Sequence, residues 1–98
     1  DNKYPKEYVL MVKRNMTWNE RRIILTETTM KYINQVIGFK NRGKGKFFEA
    51  KLSDCLMTVE KNGYTLNIVS KTKKFKEMRI RHEKGEYLKN FKNLLFSI

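Results

Sequence analysis

The segment Trp18-Asn-Glu-Arg-Arg-Ile-Ile-Leu-Thr-Glu-Thr-Thr-Met-Lys-Tyr-Ile33 restricts what this chain can become more than any other. Large, β-branched or apolar residues run from Trp18 to Leu25, with two arginines set among them. Thr26 to Thr29 interrupts the run and Met30 to Ile33 resumes it. Two such runs joined by a few Thr and Glu residues predict an antiparallel hairpin. Side chains alternate along a strand, so Arg21, Ile23 and Leu25 share one face, and Arg22 and Ile24 take the other. Arg21 thus stands at the end of a core-facing stripe, where a cation needs solvent or an anionic partner.

Upstream, Lys6 to Arg14 reads as a first strand, with Val9, Met11 and Lys13 on the face expected to meet the core and Leu10, Val12 and Arg14 on the other. Asn15 to Thr17 is a short turn. On this reading Lys13 and Arg21 converge at the open end of one hairpin, and Arg14 and Arg22 point outward.

Downstream, Gln35 to Lys46 is a loop that packs three glycines and four cations into the nine residues from Gly38 to Lys46. It lacks the G-x-x-x-x-G-K-[ST] pattern of a nucleotide-binding loop. Phe47 to Val59 reads as one fourth strand, Glu60 to Gly63 as an Asn-Gly turn, Tyr64 to Val69 as a fifth strand and Phe75 to Arg81 as a sixth. A seventh is not distinct; Met78 to His82 after a bend is a candidate. The period then changes. Tyr87, Leu88, Phe91, Leu94, Leu95 and Ile98 fall at helical spacing, and Glu83 and Glu86 favour a helix start before them. A helix from about Glu83 to Ser97 follows, with Phe91 and Leu94 expected in the core.

The net charge is +12, from 22 basic and 10 acidic residues. Each half of the chain holds 11 basic and 5 acidic residues, so the charge belongs to the body and not to a tail. That excess favours phospholipid headgroups, nucleic acid or acidic protein surfaces. Nucleic acid is disfavoured, because neither aromatic RNP motifs nor a helix-turn-helix is present. One cysteine, Cys55, excludes an internal disulfide, fits a reducing compartment and is expected buried. One histidine, His82, leaves no metal-ligand set and few catalytic combinations, so no metal, no cofactor and no enzymatic activity are expected.

Trp18-x-x-Arg21-x-Ile23-x-Leu25-Thr26, a short turn, then Met30-x-Tyr32 resembles the second and third strands of pleckstrin homology (PH) domains. Leu52-Ser-Asp-Cys55 is similar to their fourth-strand phrase, and the order of strands followed by one helix agrees. The resemblance spans essentially all 98 residues. It implies a mainly β fold, a PH-like seven-strand antiparallel barrel or sandwich capped by one C-terminal α-helix. It implies a single domain, residues 1–98, excised from a longer protein, monomeric and without catalysis.

By the same resemblance, Lys13, Arg21 and Tyr32 hold an anionic lipid headgroup. Arg14, Met16, Arg22, Phe39, Lys40, Arg42, Lys44 and Lys46 form basic or apolar loops facing the membrane. The protein is then cytoplasmic and peripheral at the cytosolic face of a membrane, with phosphoinositide as the family's default ligand. One departure stands out. The family's motif places another basic residue just after the tryptophan, where this chain has Asn19 and Glu20. A weaker resemblance, in composition and in that missing cation, is to the acylated PH-domain proteins of apicomplexan parasites, which recognise phosphatidic acid. A PH-fold module that docks proteins without useful lipid binding is the alternative.

Overall fold

A computed structural model describes residues 4–14, 16–34 and 46–96 of the chain. Seven antiparallel strands form one sheet: β1 (Lys6–Lys13), β2 (Trp18–Leu25), β3 (Thr29–Asn34), β4 (Lys46–Lys51), β5 (Cys55–Val59), β6 (Leu66–Ser70) and β7 (Met78–Arg81). The spatial order is β4-β3-β2-β1-β7-β6-β5. One helix, α1 (Gly85–Phe96), closes the chain. The sheet curls around a single core to which every strand and the helix contribute buried side chains. At its centre lie Leu10, Ile23, Leu25, Met30, Ile68, Met78, Ile80 and Phe91.

The expected hairpin is present. Thr26 closes it: its hydroxyl accepts from the Thr29 amide at 2.9 Å, and its own amide donates to the Thr29 carbonyl at 2.9 Å. A threonine that satisfies the turn backbone in this way needs no glycine at the corner. The turn after β5 does use one. Gly63 has φ +83°, a left-handed conformation that L side chains disfavour, and the Asn62 side-chain oxygen accepts from the amides of Tyr64 and Thr65 at 2.9 and 3.0 Å.

The run from Phe47 to Val59 is two strands, not one. A single 3-10 turn at Leu52–Asp54 separates β4 from β5, and this break supplies the seventh strand. Asp54 is the reason. Its carboxylate accepts from the Ser70 hydroxyl at 2.7 Å and from the Thr72 amide and hydroxyl at 2.9 and 3.1 Å. These bonds reach the turn after β6, so the chain must bend to make them.

The helix starts at Gly85, two residues later than expected. His82 precedes it, its Nδ1 accepting from the Lys84 amide at 2.9 Å. Phe91 is fully buried and its ring meets Tyr8 edge-on at a centroid distance of 5.0 Å. The buried stripe is Leu88, Phe91 and Leu95, at spacings of three and four; Leu94 is only half-buried at its margin. The Tyr87 hydroxyl accepts from the Val9 amide at 2.8 Å and ties the helix to β1. Tyr8 lies six residues before Arg14, which places the helix and the far end of β1 about 20 Å apart at roughly 3.3 Å per residue.

Candidate functional site

The site lies where β1 ends and β2 begins. Antiparallel pairing sets Tyr8 opposite Ile23, Leu10 opposite Arg21, Val12 opposite Asn19 and Lys13 opposite Trp18. Residues directly opposite share a face. Tyr8, Leu10 and Val12 are buried, and Val9, Met11 and Lys13 are not. The face assigned to β1 from sequence is therefore reversed: Lys13 points away from the core, and Arg14 takes the inward side.

Arg21 follows the inward parity of Ile23 and Leu25, both fully buried. It is half-buried at the mouth of the stripe. Its Nη1 donates to the Glu20 carbonyl at 2.8 Å, while its Nε is buried with no hydrogen-bond partner among the described residues. Tyr32, opposite Ile23 on β3, is 3% exposed, and the Arg14 guanidinium carbon lies 5.2 Å from its ring centroid. Arg14, Arg21 and Tyr32 thus gather at one end of the inner face, with Asn19 at its rim. The Asn19 side chain donates to the Thr17 hydroxyl at 3.1 Å. Met16, at the tip of the intervening turn, is 83% exposed.

The outer face carries different chemistry. Arg22 grips Glu7 through two bonds of 2.7 and 3.2 Å. The hydrogen bond and the charge of Arg22 hold the Glu7 carboxyl below its ordinary range against the opposing effect of burial. Trp18 is surrounded by cations: Arg81 at 4.0 Å from its ring centroid, Arg79 at 5.6 Å and Lys13 at 5.9 Å. Pairing explains the gathering, because Lys13 faces Arg79 and Met11 faces Arg81 across β1 and β7. Sequence reasoning passed over Arg79 and Arg81, although inward Met78 and Ile80 dictate that their neighbours point outward.

Phe39, Lys40, Arg42 and Lys44 lie outside the described residues, as does the side chain of Lys46. Elsewhere, a cleft of about 190 Å³ between the β5–β6 turn and α1 is lined by Val59, Tyr64, Leu66, Leu88 and Lys92, without converging acid–base groups. No group of three His, Cys, Asp or Glu side chains comes together among the described residues.

No family model and no curated protein matches the sequence. Solved structures do. The PH domain of human oxysterol binding protein-related protein 11 superposes with a TM-score of 0.69 at 13% identity, covering 96% of this chain and 78% of that one. The Slm1 PH domain, solved with inositol 4-phosphate, gives 0.64 at 16% identity, covering 93% and 92%. This chain has the pleckstrin homology fold. The DH/PH fragment of PDZ-RhoGEF, solved with activated RhoA, gives 0.73 at 13% identity over 94% of this chain; the chain spans only 28% of that fragment's length. Within the PH fold, α1 is the element closing one end of the core, and Arg14, Arg21 and Tyr32 stand at the other.

Proposed function

We propose that this PH-fold chain is a non-catalytic module that brings its parent protein to the cytosolic face of a membrane by holding a phosphate-ester headgroup. The observation that carries the proposal is Arg21. Its guanidinium is half-buried, and among the described residues it makes no ion pair and its buried Nε–H has no acceptor. A buried donor left unsatisfied is costly, and a phosphate oxygen is the natural acceptor for a planar guanidinium. Arg14 adds a second guanidinium and Tyr32 the floor beneath it. Met16 and the chain's +12 charge add apolar and electrostatic attraction to an anionic bilayer, at about 1 kcal/mol for each basic residue near the surface.

Asn19 standing at the rim, in place of a cation, favours a headgroup with few phosphates. A phosphoinositide monophosphate or phosphatidic acid meets that description. The Slm1 PH domain, a structural neighbour solved with inositol 4-phosphate, supports the first kind. Among the described residues no helix is long and apolar enough to cross a membrane, which fits peripheral docking.

Flotation with vesicles each carrying a single anionic lipid tests the proposal. Binding to phosphomonoester lipids above a phosphatidylserine control is expected; equal recovery with neutral vesicles would refute it. Protein docking is a second reading, favoured by the outward cross-strand pair Leu56 and Val69, 54% and 41% exposed.

A further inference from the structure

Thr17 lies exposed in the turn between β1 and β2, beside Met16. Arg14 stands three positions before it in the chain and Lys13 four. Of the chain's ten serines and threonines, only Thr17 has a basic residue at the third position upstream. Cations at that spacing before an exposed hydroxyl suit a protein kinase whose substrate groove is lined with carboxylates, since each can form a charge-assisted pair there. The Thr17 hydroxyl accepts from the Asn19 side-chain amide at 3.1 Å. That bond sets it on the side of the strand that Asn19 shares with Arg21 and Ile23. Arg21 follows four residues on, about 13 Å away at roughly 3.3 Å per residue. Arg14 borders the same turn from the β1 side, its guanidinium over the Tyr32 ring. The neighbouring carboxylate, Glu20, has the opposite parity and is exposed on the outer face.

We propose that Thr17 is a phosphorylation site, and that its phosphoryl group takes the place of a lipid headgroup on the inner-face arginines. The inference rests on the headgroup-binding role proposed above. In the transfer, Thr17 Oγ1 bonds to the γ-phosphorus of ATP, the bond from that phosphorus to the β–γ bridging oxygen breaks, and ADP leaves. The hydroxyl proton passes to the kinase's catalytic aspartate. The product is a phosphomonoester with a charge of about −1.5 to −2 and three acceptor oxygens. On its own side of the strand it meets the Asn19 amide, Arg14, and the Arg21 guanidinium, whose buried Nε–H has no acceptor among the described residues. A phosphate set opposite such arginines gains charge-assisted hydrogen bonds. Being tethered, it holds the site at a high effective concentration. Modification then detaches the domain in two ways: it fills the site, and it cancels about two positive charges beside Met16.

The first step is tested by incubating the folded chain with magnesium ATP and the catalytic subunit of cyclic-AMP-dependent protein kinase, which selects arginine at the third position upstream. Fragment mass spectrometry should find a phosphate on Thr17, and none at position 17 in Thr17→Ala. Absence of phosphate from Thr17 would overturn the site. Phosphorylated and unmodified wild type are then compared in thermal melts and on phosphatidylcholine vesicles carrying phosphatidic acid or phosphatidylinositol 4-phosphate. Phosphorylation should weaken vesicle binding at least about tenfold, since the dianion offsets roughly two basic residues and fills the site. It should also raise Tm, because the buried Nε–H of Arg21 gains an acceptor. Thr17→Ala treated with the same kinase should bind as unmodified wild type does.

In Arg21→Ala the same modification should leave Tm unchanged. Should that variant fail to fold, Arg21→Lys keeps the charge and removes the fork, and a rise in Tm as large as the wild type's would overturn the capture by Arg21. Weakened vesicle binding with no rise in wild-type Tm would overturn the capture and leave only a change of surface charge. Unchanged vesicle binding after phosphorylation would overturn the switch while the headgroup reading stands. Failure of the unmodified chain to bind vesicles, with an Arg21-dependent rise in Tm on phosphorylation, would instead remove the headgroup reading and leave the tethered phosphate in its site.

Discussion

Leu10 stands directly opposite Arg21 across β1 and β2, and Leu10 is 1% exposed. This pairing sets Arg21 on the inner face, because opposed residues cannot point to different sides of a sheet. It also separates two adjacent arginines. Arg21 is aimed at the open end of the core, while Arg22 lies outside in the grip of Glu7.

The helix should behave as a structural plug. Phe91→Ala removes a fully buried ring packed edge-on against Tyr8 and should cost about 3–5 kcal/mol in chemical denaturation. Leu94→Ala, at the half-buried margin of the helix, should cost clearly less. Equal losses would show that the helix packs on a different stripe.

Acid should weaken the turn that separates β4 from β5. Hydrogen bonds from Ser70 and Thr72 and the charge of Lys71 hold the Asp54 carboxyl below its ordinary value, with desolvation opposing them. A lowered folded-state pKa means that the stabilisation is present above the unfolded value and is lost as pH falls through the folded one. Asp54→Asn should therefore lower Tm at neutral pH, and the gap to wild type should narrow as pH drops below the usual carboxylate range. A gap independent of pH would show that the ionised form is not what holds the turn.

Cys55 should be a slow thiol. It is 6% exposed, and burial first, then the charge of Asp54, raises its pKa despite Lys71. Alkylation in native buffer at neutral pH should be far slower than in urea. Comparable rates would mean that β5 opens readily at its edge position in the sheet.

Much of the fold was legible in the residues, and the misreadings have physical causes. In β2 the arginines break the apolar run, so parity could be read from Ile23 and Leu25 against Arg22. In β1 every residue from Tyr8 to Val12 is apolar or aromatic, no period of two shows, and the face could be chosen only by which residue meets α1. That ambiguity moved Lys13 inward and Arg14 outward. The break at Leu52–Asp54 depends on Ser70 and Thr72, far along the chain, and no local pattern reveals such a partner. The helix was correctly placed, but its buried stripe ends on Leu95 rather than Leu94, since two adjacent leucines leave the phase of the helix open. The outer cluster around Trp18 arises only when β7 pairs with β1, a contact between strands more than sixty residues apart in sequence.

Association with anionic vesicles should weaken as salt rises, because charges separated by more than about 10 Å are largely screened at 0.1 M ionic strength. The inner guanidinium, being half-buried, should retain part of its contribution. Binding that does not change between low and high salt would point to insertion of Met16 as the dominant force.

The most direct test of the headgroup pocket compares Arg21→Ala with Arg22→Ala on the same anionic vesicles, once both are shown to be folded. Each removes one positive charge from adjacent positions. A charge-assisted hydrogen-bonding role for Arg21 predicts a loss of about tenfold or more in Arg21→Ala and little change in Arg22→Ala, whose guanidinium is already committed to Glu7. Equal losses in the two variants would contradict the pocket and leave only a diffuse basic surface.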